Sequence, residues 1–229
     1  MQEEAMLMDL KEAIEKRHSV RQYIKRPLSL EIIEELKGKI QECNQRSGLH
    51  IQLITNEPQS FQSRLAHYGQ FEGVENYIAL IGKRSQDLEE KCGYYGEHLV
   101  LFAQQLGLNT CWVALTYKKM ISCMQMNPDE KLVAVIVVGY GKNQGKLHRS
   151  KTIKDVAEGD EPFPKWFQAG VQYALLAPTA LNQQRFQVLY HHHKVSIKAK
   201  RGFYTKIDLG IVKYHFEIGA GKENFQWVR

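Results

Sequence analysis

The sequence has few cysteines, no long apolar run and no basic start, and each shortage excludes a class of protein. None of the four cysteines forms a CxxC pair and no Cys/His cluster has zinc-ligand spacing. We therefore predict that all four are reduced thiols. No apolar run approaches the roughly 20 residues of a membrane span. Acidic Glu3 and Glu4 stand where a signal peptide would be basic. We therefore expect a cytoplasmic protein that does not use a membrane.

The amounts of hydrophobic and charged residues are those of an ordinary globular protein, but the positive charge is unevenly distributed. Of the 229 residues, 43% are hydrophobic and 24% are charged, which suffices for a buried core. Residues 161–229 hold 10 Lys+Arg against 4 Asp+Glu, whereas residues 1–160 hold 21 of each. Such an excess suits nucleic acid, an acidic partner or a phosphate-bearing cofactor, and composition leaves all three open.

Helical and strand patterns alternate along the chain. Ser29 as an N-cap and Gly48 as a stop bracket one amphipathic helix. Residues 77–81 and 132–138 are apolar runs of strand length. The basic run 194–201 predicts a solvated turn between a strand and a helix. The order of elements predicts an α+β protein with a mixed sheet flanked by helices.

Two parts of the chain end alike, each with a helix, a glycine and a strand that contains Trp-Val. The first copy covers residues 107–113 and the second covers residues 219–228. Two copies are too few for a solenoid, so an internal two-fold pseudo-dimer is the better interpretation. We predict a first half over residues 1–160 and a shorter second half over residues 161–229, with one shared core.

Two cationic sets are candidates for binding an anion. Arg17, Ser19 and Arg21 follow the first predicted helix, and guanidinium groups bind phosphate in a bidentate manner. Arg149 and Lys151 come shortly after a strand with a glycine-flanked exit, where a backbone can approach a ligand closely. On spacing alone, a solvated turn with two surface arginines is the favoured explanation of the first set.

The segment 177–184 breaks a helix and carries three side-chain amides and a hydroxyl. So many donors and acceptors suit a planar polar ligand, although a capping turn is the simpler alternative. The run 191–193 consists of three histidines at a strand end. Their side chains alternate, so they cannot all face one metal ion, and we predict an exposed edge and no metal site.

Taken in this order, these segments resemble the FMN-dependent nitroreductase family. The Arg-x-Ser-x-Arg signature appears at residues 17–21, and the Gly-Leu-Gly-Thr-Cys-Trp helix end appears at residues 107–112 with Asn in place of the second Gly. The late strand with its Gly-Tyr exit lies at residues 133–140, and the basic motif after it lies at residues 149–151. The Ala-Pro-Ser-Ala-x-Asn-x-Gln loop corresponds to residues 177–184, with Thr in place of Ser.

One departure from the family pattern bears on the assembly. In ordinary members the Ala-Pro-Ser loop follows the second helix, but residues 42–48 lack it here. Ordinary members are dimers with flavin at the subunit interface. The chain is therefore similar to the subgroup in which one chain imitates that dimer. This implies a nitroreductase-like fold, one flavin site per chain, and a monomer or a homodimer in solution.

The resemblance implies FMN as cofactor. Its site would consist of Arg17, His18, Ser19, Arg21, Trp112, Val113, Ala114, Arg149, Lys151, Ala177, Pro178, Thr179 and Asn182. The cations at 17, 149 and 151 would hold the phosphate and ribityl chain together with Ser19. Arg21 would face the pyrimidine end of the ring. Residues 112–114 would border the flavin edge, and Thr179 and Asn182 would reach it from the second half.

The implied activity is an oxidoreductase whose flavin carries the chemistry, so no catalytic acid or nucleophile is expected. NADH or NADPH would reduce FMN in a ping-pong cycle, and a nitro compound, a quinone or a similar small acceptor would reoxidise it. The alternative is a non-catalytic protein. It would bind flavin without turnover, or bind nucleic acid or an acidic partner through residues 185–201.

Overall fold

The computed structural model describes residues 8–62 and 64–228. Within these residues the chain forms seven α-helices and eight β-strands. In chain order they are α1 (Leu10–Lys16), α2 (Leu30–Ser47), β1 (Gln52–Ile54), α3 (Arg64–Tyr68), β2 (Tyr77–Lys83), α4 (Leu88–Gln105), β3 (Asn109–Val113), β4 (Glu130–Gly139), α5 (Ile153–Val156), β5 (Ala157–Gly159), α6 (Lys165–Leu175), β6 (Phe186–His191), β7 (Lys194–Ala199), α7 (Thr205–Ala220) and β8 (Gln226–Trp227).

The ends of α2 are those that the sequence predicts. The Ser29 hydroxyl accepts a hydrogen bond from the backbone N–H of Ile32 at 3.3 Å, which satisfies one of the free donors of the first turn. Gly48 ends the helix with a φ of 71°, a left-handed conformation that glycine adopts without steric cost. The polypeptide then turns directly into β1, so local chemistry sets both boundaries of this helix.

The strands form two separate four-stranded sheets. The first sheet has the order β1-β2-β4-β3 and is antiparallel throughout. The second has the order β5-β6-β7-β8, with an antiparallel hairpin at its centre and a parallel strand on each side. β5 belongs to the second sheet although it precedes residue 161, so the sheets do not divide the chain at that residue.

The prediction of a solvated turn over residues 194–201 was wrong. Lys194–Ala199 forms β7, which pairs with β6 and β8. Its centre, Val195, Ser196 and Ile197, is buried, and exposed lysines lie at both ends. A buried run of three residues has no period-two alternation, so the flanking charges dominate the local pattern.

The two longest central helices, α4 and α7, pack against each other and join the halves. Their backbones approach closely, because a Cβ atom on Gly210 would lie 2.0 Å from the carbonyl oxygen of Glu90. A Cβ atom on Gly93 would meet the carbonyl oxygen of Ile207 at the same distance. α6 packs against α7 on its other side. One hydrophobic core contains side chains of both sheets and of these helices.

The order of elements agrees with the internal repeat. α4 leads into β3 in the first sheet, and α7 leads towards β8 in the second. α4 and α7 pack against each other and each carries one copy of the repeat, so the fold fits one chain that imitates a dimer. Within the described residues, no helix is both long enough and apolar enough to cross a membrane.

Candidate functional site

The segment after α1 runs along the edge of the first sheet. The backbone N–H of Val20 donates to the carbonyl oxygen of Thr110 on β3 at 3.0 Å, and a parallel bridge joins Ser19 to Thr110. Val20 and Tyr23 are buried, which anchors the segment from below. The bridge to β3 and the last turn of α1, where the Arg17 N–H donates to the carbonyl oxygen of Ala13 at 2.9 Å, hold the backbone of residues 17–20 at one edge of the sheet.

A cleft of about 600 Å³ opens beside this segment, a volume typical of small-molecule sites. Both halves of the chain contribute to its walls. It is lined by Arg17, His18, Ser19, Arg21, Gln22, Gln70, Asn143, Gly145, Lys146, His148, Pro178, Thr179, Leu181 and Asn182. Seven of the thirteen residues predicted to hold the cofactor therefore lie around one cavity, although they come from segments more than 150 positions apart.

Arg17 is the most deeply placed cation of the cleft, with 4% of its surface exposed. Its Nε lacks a hydrogen-bond partner, and within the described residues Tyr117 Oη is the other buried side-chain atom in this state. The nearest carboxylate oxygen, Oε1 of Glu97, is 4.0 Å from Nε. Burial lowers the pKa of the Arg17 guanidinium, and the Glu97 carboxylate opposes that shift. A buried cation with a free donor favours an anionic ligand.

The loop formed by residues 143–148 is another part of the cleft, and it lies against the segment of residues 17–21. Gly145 has a φ of 76°, and a Cβ atom there would lie 2.7 Å from the Cβ of His18. His148 donates from Nε2 to the carbonyl oxygen of Leu175 at 3.0 Å. Burial lowers the pKa of His18, and the nearby Arg17 and His148 lower it further, so His18 is uncharged at neutral pH.

The loop 177–184 forms the opposite wall and is held by long-range hydrogen bonds. Asp208 on α7 accepts from the backbone N–H of Ala180 and from the side-chain amide of Gln183, both at 2.9 Å. Three residues of this loop have left-handed backbones: Leu181 (φ 53°), Asn182 (φ 50°) and Gln184 (φ 45°). Such backbones are costly for residues other than glycine and asparagine, so the hydrogen bonds of Asp208 help to hold the shape of this wall.

Three predicted residues lie next to the cleft without lining it. Arg149 is exposed, and its carbonyl oxygen accepts a hydrogen bond from the Asn182 side chain at 2.8 Å. The Lys151 ammonium group donates to the carbonyl oxygen of Gln184 at 2.7 Å. Ala177 is fully buried beneath the loop. The segment that carries Arg149 and Lys151 instead lines the cleft with a cation at Lys146.

Trp112, Val113 and Ala114 also lie outside the lining of the cleft. The Trp112 indole is directed to the interior, where its Nε1 donates to Oε2 of Glu97 at 2.9 Å. Val113 is buried. The role of these residues at a flavin edge stays a prediction.

Sequence reasoning missed half of the lining. The missed residues are Gln22, Gln70, Asn143, Gly145, Lys146, His148 and Leu181. Lys146 and His148 lie between the glycine-flanked strand exit and Arg149, so the same signal could have identified them. Gln70 has no local signal, since it reaches the cleft from the loop that follows α3.

The donor set of the cleft fits a phosphorylated, planar polar ligand such as FMN. Guanidinium groups of Arg17 and Arg21, the Lys146 ammonium group and the Ser19 hydroxyl can donate to phosphate and hydroxyl oxygens. The free Nε of Arg17 is a donor that the protein itself leaves unused. Thr179 and Asn182 add a hydroxyl and an amide from the opposite wall.

The histidine run lies on the hairpin turn between β6 and β7. Nδ1 of His191 is 2.8 Å from Oδ2 of Asp160, and His192 lies beside them. His193 instead stacks on Trp166, so the three rings do not converge. The His191, His192 and Asp160 side chains are all exposed and lie outside the lining of the cleft.

The chain matches one family model and several solved structures. The model described as "Putative TM nitroreductase" matches residues 9–220. A putative nitroreductase from Thermotoga maritima MSB8 is 24% identical, with a TM-score of 0.69 over 97% of this chain and 88% of that one. No curated protein matches the chain significantly.

Shorter nitroreductases match a part of the chain. One from Desulfovibrio desulfuricans, solved in complex with FMN, is 17% identical, with a TM-score of 0.53 over 69% of this chain and 99% of that one. One from Streptococcus pneumoniae TIGR4 is 12% identical, also with a TM-score of 0.53, over 66% and 99%. At such identities the likeness shows the fold alone, and it confirms the predicted nitroreductase-like α+β fold. Since the family model covers most of the sequence, the chain belongs to the putative TM nitroreductase family.

Proposed function

We propose that the protein is an FMN-dependent oxidoreductase that uses NADH or NADPH to reduce nitro compounds, quinones or similar small acceptors. The observation that carries this proposal is the cleft between the halves, with the buried Arg17 at its base, whose Nε has no hydrogen-bond partner. Membership of a nitroreductase family supports it. So does the FMN bound to the relative from Desulfovibrio desulfuricans, which has the same fold.

The cations of the cleft have separate roles in this proposal. Arg17, Ser19 and Lys146 hold the phosphate and the ribityl chain, and Arg149 and Lys151 extend the positive surface beside them. Arg21 faces the pyrimidine end of the ring, where a cation stabilises the negative charge of reduced flavin. Thr179 and Asn182 close the site from the second half. The flavin supplies hydride and electron transfer when it is bound.

One cleft serves the reductant and the acceptor in turn, which makes the cycle ping-pong. No catalytic acid or nucleophile is required, because the flavin carries the chemistry. We further propose a cytoplasmic location and a monomeric or homodimeric state. The reaction needs no metal ion, nucleic acid or membrane.

The test is the visible spectrum of the purified protein, a titration with FMN, and anaerobic addition of NADH or NADPH. We expect a bound flavin that NAD(P)H bleaches and that a nitroaromatic compound or a quinone reoxidises. Arg17→Ala should weaken FMN binding by more than tenfold, because a charge-assisted hydrogen bond contributes ~1.5–3 kcal/mol. Arg46→Ala is the matched control, since Arg46 is exposed and pairs with Glu42 on α2.

A colourless protein that takes up no FMN would contradict the proposal. It would favour a non-catalytic protein that binds nucleic acid or an acidic partner through residues 185–201. Flavin that binds tightly but is never bleached by either nicotinamide would leave flavin binding and contradict the reductase activity. Equal FMN affinity in Arg17→Ala and Arg46→Ala would place the flavin elsewhere.

A further inference from the structure

A buried ion pair joins the two halves directly behind the cleft. Glu97 lies on α4 and His215 lies on α7, and neither side chain has any exposed surface. Nε2 of His215 is 2.8 Å from Oε1 of Glu97. Burying such a pair is costly, so its presence at the junction of the halves calls for a role beyond stability.

Glu97 is in contact with three parts of the chain at once. Its Oε1 faces both His215 and the Nε of Arg17, which lies 4.0 Å away. Its Oε2 accepts the indole N–H of Trp112 on β3 at 2.9 Å. The carboxylate therefore faces the deepest cation of the cleft on one side and His215 on the other. It is also the point where α4, α7, β3 and the Arg17 segment meet.

The hydrogen-bond partners of His215 fix the number of protons in this cluster. Nδ1 of His215 lies 3.2 Å from the carbonyl oxygen of Tyr173, which can only accept. Both ring nitrogens therefore face oxygen atoms. Either the ring carries two protons beside an ionised Glu97, or Glu97 carries one of them and donates it to Nε2. The pair has no net charge in either arrangement.

The cluster formed by Arg17, Glu97 and His215 therefore has a net charge of +1, since Arg17 stays protonated. Among the described residues, Glu97 and Cys111 are the groups whose charge acts on the Arg17 guanidinium. Burial raises the pKa of Cys111 beside Arg17, and it also raises the pKa of Tyr214 beside Glu97, so both groups are neutral. One uncompensated positive charge thus lies at the base of the cleft, with a free donor on Arg17 Nε.

We propose that Glu97 and His215 are positioning residues for the flavin phosphate. Glu97 holds the Arg17 guanidinium at the base of the cleft, and the proton shared with His215 keeps the cluster positive. Because His215 belongs to the second half, the site has its full charge only when the two halves are packed together. This inference rests on the proposed flavin site.

Two substitutions separate the contact between Glu97 and Arg17 from the positive charge of the cluster. In Glu97→Gln, the amide can donate to Nε2 of a neutral His215 and its oxygen can accept from Trp112, so the cluster keeps its charge of +1 but loses the anchor of Arg17. In His215→Gln, the proton is lost and the cluster falls to zero. Comparing FMN with riboflavin, which lacks the phosphate, isolates the effect on phosphate.

We expect His215→Gln to weaken FMN binding by on the order of tenfold and to leave riboflavin binding unchanged. Glu97→Gln should weaken FMN binding by a smaller factor. Glu217→Gln is the matched control, because Glu217 lies on the same helix and also bridges the halves, accepting from Tyr94 Oη and from Trp227 Nε1, each at 2.6 Å. This control should lower the melting temperature without changing the ratio of the FMN affinity to the riboflavin affinity.

The shared proton has its own signature in the apo protein, whichever variants fold. In ¹⁵N-histidine NMR, the wild-type His215 should show a bound proton at Nδ1 and a strongly hydrogen-bonded proton between Nε2 and Glu97. That second signal should be absent in Glu97→Gln. A wild-type Nε2 that neither carries nor shares a proton would overturn the inference.

The binding results separate this inference from the proposed function. A wild-type protein that binds neither flavin contradicts the proposed function. FMN binding that is weakened by Arg17→Ala but unchanged in both His215→Gln and Glu97→Gln overturns the positioning role alone. An equal loss of FMN and riboflavin affinity in His215→Gln would also overturn it, because the effect would then not concern the phosphate.

Discussion

The two walls of the cleft are built in different ways. The first-half wall, residues 17–21, runs beside β3 and is held by backbone hydrogen bonds and by the burial of Val20. The second-half wall, residues 177–184, has no strand beside it at the cleft. It is held by side chains that bind backbone groups, and three of its residues have left-handed φ angles.

This difference shows how each wall responds to substitution. The first wall is held by backbone groups, such as the N–H of Val20 and the carbonyl oxygen of Thr110, which remain when side chains are changed. The second wall depends on the side chains of Asp208 and Gln184, whose hydrogen bonds are lost when these residues are substituted. We therefore expect substitutions in the second wall to change its shape more than equivalent substitutions change the first.

The largest effect should follow from separating the two walls at the helix crossing. Gly210→Ala places a methyl group 2.0 Å from the carbonyl oxygen of Glu90, so α4 and α7 must move apart. We expect a loss of ~1–3 kcal/mol or more in the free energy of unfolding, together with weaker FMN binding. Gly38→Ala on α2 is the control, since nothing lies within 4 Å and alanine favours helix. Equal melting temperatures for the two variants would contradict the close crossing.

The next effect compares the walls directly. Gln184 is 1% exposed, accepts from the backbone N–H of Lys151 at 2.8 Å and donates to the carbonyl oxygen of Leu175 at 3.1 Å. Gln184→Ala leaves the Lys151 N–H without its partner, whereas the Leu175 carbonyl oxygen still accepts from His148 and Ser150, and the change should cost ~1–3 kcal/mol. Ser19→Ala in the first wall should cost less than ~1 kcal/mol, because backbone bonds hold that wall. Urea denaturation measures both, and a larger loss in Ser19→Ala would reverse the comparison.

A pH effect should identify Asp208 as the anchor of the second wall. Burial raises the pKa of Asp208 to about 6, although the hydrogen bonds from Ala180 and Gln183 each lower this pKa. The folded state thus binds this proton more tightly than the unfolded chain, so the stabilisation is full below pH 4 and is lost as the pH rises through 6. The expected loss is up to ~3 kcal/mol.

Asp208→Asn removes this titration. The difference in melting temperature between the wild type and this variant should move against the wild type as the pH is raised from 4 to 7. A difference that stays constant across this range would show that Asp208 has an ordinary pKa.

The smallest effect should come from the rim of the second wall. Leu181 is 86% exposed and has a φ of 53°. This left-handed conformation costs a leucine ~1–2 kcal/mol, whereas glycine and asparagine adopt it readily. Leu181→Asn should therefore raise the melting temperature slightly, by less than the cost of a lost buried contact. A lowered melting temperature would mean that the leucine packs against the loop in solution.

The sequence predicts the local features and misses those that depend on distant partners. Ser29, Gly48 and the apolar strands β2 and β4 follow from capping, turn geometry and burial, so the sequence predicts them well. The strand β7 was missed, because its pairing with β6 and β8 outweighs its flanking lysines.

The same limit applies to the candidate site. The family motifs predict Arg17, Ser19, Thr179 and Asn182 as neighbours, and all four line the cleft. Lys146 and His148 were missed because the close approach at Gly145 selects them instead of Arg149 and Lys151. No local pattern marks Glu97 and His215, which are 118 positions apart and meet only when α4 packs on α7.

One chain should form one complete flavin site between its halves. Native mass spectrometry of the FMN-loaded protein is the decisive experiment, because it reports the number of chains and of flavins in the same particle. We expect one FMN for each 26.5 kDa chain, retained when the particle is diluted to single chains. Two FMN molecules per chain, or FMN that is present on dimers and absent from single chains, would contradict it.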